Sequence, residues 1–174
     1  MRFRAGGVNG ASATFGLGIL AKPLGGMVLI SPSQRRERMM AHWLVKSEPA
    51  KYSFAQLQKD GKTVWDGVRN NAAALHLKAM RLGDEVLYYH SQEGLEVVGV
   101  AKVVKESFLD PSDPAGRFVA VELAAVRPLK APVSLQAMKA NPALSGLEMI
   151  RQGRLSVSPV RDAEWAAILK MAGE

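Results

Sequence analysis

Glu85-Val86-Leu87-Tyr88-Tyr89-His90-Ser91-Gln92-Glu93-Gly94-Leu95-Glu96-Val97-Val98-Gly99-Val100-Ala101-Lys102-Val103-Val104 is the stretch on which the fold turns. Aliphatic, β-branched and aromatic residues fill both halves, so 85–90 and 95–104 each read as a strand. Glu93-Gly94 between them reads as a hairpin turn, and strands joined so closely run antiparallel. The second half reads as the longest strand of the chain. Gly99 inside it has no side chain to pack, which marks a bulge or the close approach of another segment.

Outward from this hairpin, Trp43-Leu44-Val45-Lys46-Ser47 reads as a short strand ended by Glu48-Pro49. Ser53 and Gln56 have capping-box spacing for a short helix with Phe54 and Leu57 on one face, closed by Gly61. Val64-Trp65 leads into a polar turn, Asp66-Gly67-Val68-Arg69-Asn70. Asn71 is expected to cap a helix over Ala72 to Arg81 that buries Leu75, Ala79 and Met80. Asp110 to Pro114 reads as a loop, Phe118 to Val126 and Arg154 to Val160 as strands, and Ser134 to Ala140 and Ala143 to Ile150 as short helices. Asp162 caps a last helix through Met171 with Trp165 and Leu169 inward. About five strands with short helices and no regular β-α-β alternation predict an α+β fold, a small, strongly curved sheet or barrel with helices at its sides.

The chain has 174 residues, 48% of them apolar, which suits one domain with a real core. With no cysteine it has no disulfide, thiolate metal site or cysteine nucleophile. No apolar run approaches the roughly 18 residues of a membrane span. The formal charge of +7 is unevenly spread. Residues 1–41 hold six bases and one acid, whereas 42–174 hold 17 bases and 15 acids. The folded part is therefore no basic slab for bulk phosphate binding, which works by neutralising many phosphates at once. Residues 1–40 read as a leader, either a flexible extension or a start assigned too far upstream, because Met39 and Met40 directly precede the first strand. Lys22 and Pro23 interrupt the apolar part of a would-be export signal, and the expected location is cytoplasmic.

No phosphate-cradling glycine motif follows a strand. His42, His76 and His90 lack zinc-ligand spacing, and no nucleophile elbow surrounds a serine. Polar groups gather instead at element ends: Lys46-Ser47-Glu48-Pro49, Trp65 to Asn70, Tyr88-Tyr89-His90-Ser91 and Arg154-Leu155-Ser156. At the mouth of a closed sheet these clusters would face one concavity suited to a planar heteroaromatic ligand such as a nucleobase. Trp65 would stack on its face, and Ser47 or Asn70 would read its edge. Each residue also has a plainer role. Trp65 can be core, Arg69 and Asp66 a surface ion pair, Asn70 or Asn71 a helix cap, and His90 a satisfied buried imidazole.

The ordered blocks Trp43 to Pro49, Trp65 to Asn70, Gly83-Asp84, Tyr89-His90-Ser91, Gly99-Val100-Ala101, Asp110-Pro111 and Arg154 to Val157 with Pro159 resemble the EVE domain family over roughly residues 42–172. The resemblance implies a PUA-like fold, a small, partly closed β-barrel of about five to six strands flanked by short helices and similar to YTH and ASCH domains. It further implies binding of a modified nucleobase, modified cytosine or adenine, in DNA or RNA. By position, Trp65 looks like the wall of an aromatic cage, and Lys46 and Ser47 lie on a lining strand. Val68, Arg69 and Asn70 form the adjoining loop, Tyr89, His90 and Ser91 end the next strand, and Arg154, Leu155 and Ser156 close the rim. The chain departs from the family pattern after Arg69-Asn70, where many members carry an aromatic and this one has Asn71 followed by Ala72, Ala73 and Ala74.

These implications amount to a monomeric, non-enzymatic binder of nucleic acid bearing a modified base, with no cofactor, metal or membrane partner. Two other classes compete. The first is an enzyme acting on a small heterocycle or nucleoside, with His90, Tyr89 or Asp66 as acid–base groups. The second is a protein-interaction module presenting the apolar segment Pro128 to Met138.

Overall fold

Strand pairing places the hairpin at the centre of the sheet. The computed structural model describes residues 39–174, so the expectation of a leader lies outside the described residues up to position 38. The elements are β1 (His42–Ser47), α1 (Phe54–Asp60), β2 (Lys62–Trp65), α2 (Asn71–Ala79), β3 (Glu85–His90) and β4 (Glu96–Leu109). They continue with β5 (Val119–Ser134), α3 (Leu135–Ala140), a 3-10 turn (Pro142–Leu144), α4 (Glu148–Arg151), β6 (Val157–Val160) and α5 (Asp162–Met171). One six-stranded sheet has the order β2-β5-β4-β3-β1-β6. β1 and β3 are parallel and every other pair is antiparallel. The end strands β2 and β6 do not pair, so the sheet is curved but not fully closed, and α2 packs against β6, β5 and β4.

Alternation along the strands sorts the side chains into two cores, because successive residues point to opposite faces. Trp43, Val45, Val86, Tyr88, Ala101 and Val103 face one way, where α1, α2 and Trp65 cover them. Leu44, Leu87, Tyr89, Val97 and Val100 face the other way, under Met138, Leu144, Trp165 and Ile168. Each fully buried Leu, Val or Phe contributes roughly 1.5–3 kcal/mol, so both faces are needed for stability.

Both readings of Gly99 are realised. The β3–β4 register slips between Tyr88 and Tyr89, where Gly99 pairs with Tyr88. A β-carbon at Gly99 would lie 2.3 Å from the Phe54 ring, so α1 sits directly on the backbone there.

Several sequence expectations are corrected. Lys62–Trp65 is a sixth strand, paired with β5 through Trp65 opposite Val121. β5, at 16 residues, is longer than β4 at 14, because it continues through Pro128 at a register shift opposite Gly99. A strand accepts proline at such irregularities. Asn70, not Asn71, caps α2, its side-chain oxygen accepting from the Ala73 N–H at 3.0 Å. The helix consequently buries Ala73, Ala74 and Leu77, with Met80 buried just beyond it, while Leu75 is 64% exposed and Ala79 is also exposed. Small side chains let this helix sit close to the sheet. The segment 143–150 divides into the 3-10 turn and α4, and the strand expected from Arg154 begins at Val157. Arg161 caps α5 in place of Asp162, its N–H donating to Glu164 Oε2 at 2.9 Å. Leu129, Val133 and Met138 are buried, so most of the large apolar side chains expected to form a docking surface over 128–138 face the core, with Leu135 half-buried.

Candidate functional site

Because β1 and β3 are parallel, their C-terminal ends lie side by side, with Ser47 opposite His90 and Lys46 opposite Tyr89. The turn before β6 is fastened to the same end. Lys46 N–H donates to the Ser156 carbonyl at 2.9 Å, and Lys46 Nζ donates to the Gly153 carbonyl at 2.8 Å. Three of the four polar clusters therefore meet at one end of the sheet.

They do not meet on one face. Tyr88 lies edge-on to Trp65 with ring centroids 5.5 Å apart, and His90 lies edge-on to Tyr88 at 5.8 Å. The hydroxyls of Ser47 and Tyr88 both donate to the Tyr52 carbonyl, at 2.7 and 2.8 Å. Ser47 thus shares the Trp65 face with Tyr88 and His90. Tyr89 packs in the opposite core, where Lys46 Nζ stands 5.9 Å from its ring centroid. The structure does not bring Tyr89 or Lys46 to Trp65; Tyr88 occupies the place expected for Tyr89. Strand alternation counted from the buried Val86 would have selected Tyr88, two residues on.

Trp65 is the largest departure from expectation. The residue is 9% exposed and belongs to the hydrophobic core with Val68 and Leu155, so its indole is not a plate open to solvent. A surface hollow of about 630 Å³ lies elsewhere, between the 3-10 turn and α5, lined by Asn141, Ala143, Ala166, Lys170 and Met171 among others.

The loop after Trp65 is held from below. Asp110, whose side chain is fully buried, accepts the Gly67 N–H at 2.9 Å and Arg69 Nη1 at 2.7 Å on Oδ2. Its Oδ1 accepts the N–H and hydroxyl of Ser112, at 2.7 and 2.6 Å. Burial pushes this carboxyl up, but the bonds from Ser112, Arg69 and the backbone outweigh it and hold the pKa down at about 2. Arg69 also donates from Nη2 to Ser112 Oγ at 2.9 Å. The loop turns at Gly67 with φ of +73°, a conformation suited to glycine. Asp110 thus organises a site it was not expected to join; the sequence marked it as the start of a polar loop and as one of the family blocks, without a place in the site.

His90 is held in one form. The Phe54 N–H donates to His90 Nε2 at 3.1 Å, so the neutral ring carries its hydrogen on Nδ1. Burial pushes its pKa below the ordinary value, against the opposing pull of Glu96. Asn70 uses its side-chain oxygen as the α2 cap, and Arg154 is exposed. Ser91 donates its N–H to the Ser47 carbonyl at 2.9 Å, closing the strand ends. Among the described residues no group of His, Asp and Glu is arranged to hold a metal ion, and no helix is long and apolar enough to cross a membrane.

A six-stranded mixed sheet, curved and not fully closed, with an aromatic row running from Trp65 on β2 to Tyr88 and His90 at the C-terminal end of β3, defines an α+β domain. The EVE domain family model matches residues 41–171, and the chain belongs to that family. Thymocyte nuclear protein 1 of Rattus norvegicus is 34% identical over 166 residues, which cover 75% of this chain and 73% of that protein. The structure of Rpa0253 from Rhodopseudomonas palustris superposes with a TM-score of 0.74 at 48% identity, covering 77% of this chain and 94% of that one. Human THYN1 protein in complex with 5-methylcytosine-containing DNA has a TM-score of 0.72 at 28% identity, covering 77% of this chain and 98% of that one. The YTH domain of Zygosaccharomyces rouxii MRB1, at 16% identity and a TM-score of 0.50, shares the fold.

Proposed function

We propose that this chain is a non-enzymatic reader of a modified base in nucleic acid, with a modified cytosine in DNA as its first ligand class. The observation that carries this reading is the likeness over 77% of the chain to human THYN1 protein, whose structure holds 5-methylcytosine-containing DNA. The local geometry supports it. Trp65, Tyr88 and His90 form an aromatic row, and the Asp66–Asn70 loop borders it. Because Trp65 is covered, a base reaches its ring only when that loop shifts. Gly67 supplies the freedom for that movement and Asp110 the latch. Trp65 then stacks on the extruded base, and the Nδ1–H of neutral His90 donates to an acceptor on its edge. Ser47, whose hydroxyl is already committed to Tyr52, supports the wall. Val68 and Leu155 form the apolar sides, with Asn70, Ser91, Arg154 and Ser156 at the rim.

The test is a titration of the protein against matched oligonucleotides, single- and double-stranded, bearing cytosine, 5-methylcytosine, 5-hydroxymethylcytosine or N6-methyladenine. Tighter binding to a modified form supports the reading; equal affinity for all rejects it. Mass analysis of the recovered oligonucleotides tests the absence of catalysis, since any mass change makes the protein an enzyme. A monomer is expected with and without ligand, and sedimentation checks it. A cytoplasmic location stands against the word nuclear in the relatives' name, and cell fractionation decides between them.

A further inference from the structure

The segment between β4 and β5 carries cations set against aromatic rings. The guanidinium carbons of Arg69 and Arg117 lie 5.3 and 5.7 Å from the centroid of Phe118. On β4, Lys105 Nζ lies 4.2 Å from the centroid of Phe108. Phe108 and Phe118 are partly exposed, and Lys105 and Arg117 are exposed. Among the described residues neither Lys105 nor Arg117 enters an ion pair.

Acids also occur here, and their placement matters more than their number. Asp110 is spent on Gly67, Arg69 and Ser112. Asp113 accepts the N–H groups of Ala115, Arg117 and Phe118, so its charge is turned into its own loop. Asp113 and, less strongly, Asp66 also act on Arg69 and offset part of its charge. Glu106, exposed beside Lys105, accepts the Leu82 N–H and lies 3.9 Å from Arg81. The remaining outward groups are two cations, one shared guanidinium and two ring faces. Cations interleaved with aromatics suit a nucleic-acid strand, whose phosphates attract the charge and whose bases or sugars pack on the rings. Arg69 belongs both to this strip and to the loop that follows Trp65, so the strip adjoins the base site.

We propose that Arg69, Phe118, Arg117, Lys105 and Phe108 form a track for the backbone of the nucleotides flanking the read base, engaged whether or not that base is modified. This rests on the reading of the Trp65 site and extends it. Binding of a duplex carrying one 5-methylcytosine, and of its unmodified twin, is measured over a series of salt concentrations for wild type, Arg117→Ala, Lys105→Ala and Trp65→Phe. Both cations are exposed, so their replacement leaves the fold intact, which circular dichroism checks.

The track predicts that Arg117→Ala and Lys105→Ala each weaken both duplexes by about 3- to 10-fold and flatten the salt dependence by roughly one unit of slope. It predicts that Trp65→Phe lowers the preference for the modified duplex and leaves the slope unchanged. Unchanged affinity and slope in both cation variants overturn the track, even where Trp65→Phe removes the preference. A reduced slope in the cation variants with an intact preference in Trp65→Phe overturns the role of Trp65 and upholds the track. Failure of the wild type to bind either duplex overturns both.

Discussion

Arg69 Nη1 donates to Asp110 Oδ2 at 2.7 Å, joining residues 41 positions apart, and the same oxygen accepts the N–H of Gly67. One buried carboxylate therefore holds both the backbone and a side chain of the loop that follows Trp65. Asp110→Ala takes the carboxylate acceptor from the part-buried Gly67 and Ser112 amides, and the expected loss is roughly 1.5–3 kcal/mol, the range for hydrogen bonds to a charged group. Arg69→Met in the Asp110→Asn background is expected to cost much less than in the wild type, because the two groups act as one unit. Urea unfolding of the four proteins measures this. Additive effects would show that the pair is not coupled.

Phe54 packs on the bare Cα of Gly99, so Gly99→Ala drives a methyl to within 2.3 Å of the ring. The expected destabilisation is about 1–3 kcal/mol, the range for overpacking a tight core. Phe54→Leu in the same chain is expected to restore part of the loss by vacating that space. Thermal melts of the single and double variants decide it; a Gly99→Ala protein as stable as wild type contradicts the contact.

His42, His76 and His90 all have pKa values lowered from 6.5, with burial the largest cause in each. The unfolded chain therefore takes up these protons first as pH falls. Stability is complete above the ordinary histidine value and declines below it, until the folded-state values are passed. A second decline follows from Asp110, whose stabilisation is present above 3.8 and is lost as pH falls toward about 2. Urea midpoints from pH 8 to pH 2.5 test both windows. His42 stacks on Trp165 at 4.2 Å with a 12° tilt, so Trp165 emission reports its protonation. A stability profile flat between pH 7 and pH 5 counts against the histidine assignment.

Asn71 is exposed at the first position of α2, and the cap belongs to Asn70, so the position tolerates a larger side chain. Asn71→Tyr places an aromatic directly after Arg69-Asn70. If this side of the base site is open, the ring adds stacking surface, and affinity for the preferred modified duplex rises by about 1 kcal/mol, the low end of a base–aromatic contact. Fluorescence anisotropy measures it. Unchanged affinity places position 71 outside the site.

Local pattern carried the elements whose cause is local. The hairpin around Glu93-Gly94, the Ser53 cap and the strand at Trp43–Ser47 follow from alternation, turn residues and hydroxyl placement, and all are present. The ordered family blocks carried the α+β class as well. Long-range partnership lay outside such reading. β2 is four residues long and becomes a strand only because β5 offers it a partner edge. β5 runs through Pro128 because the bulge opposite Gly99 absorbs the missing donor. The cap at Asn70 rather than Asn71 turns α2 so that its alanines meet the sheet and Leu75 faces water. In the site, residue types were legible but faces were not. The sheet sends Tyr88 toward Trp65 and Tyr89 away, covers the indole, and draws in Asp110 from a distant loop. Side-chain periodicity is a property of neighbouring residues, whereas burial and charge pairing depend on which distant segment arrives beside them.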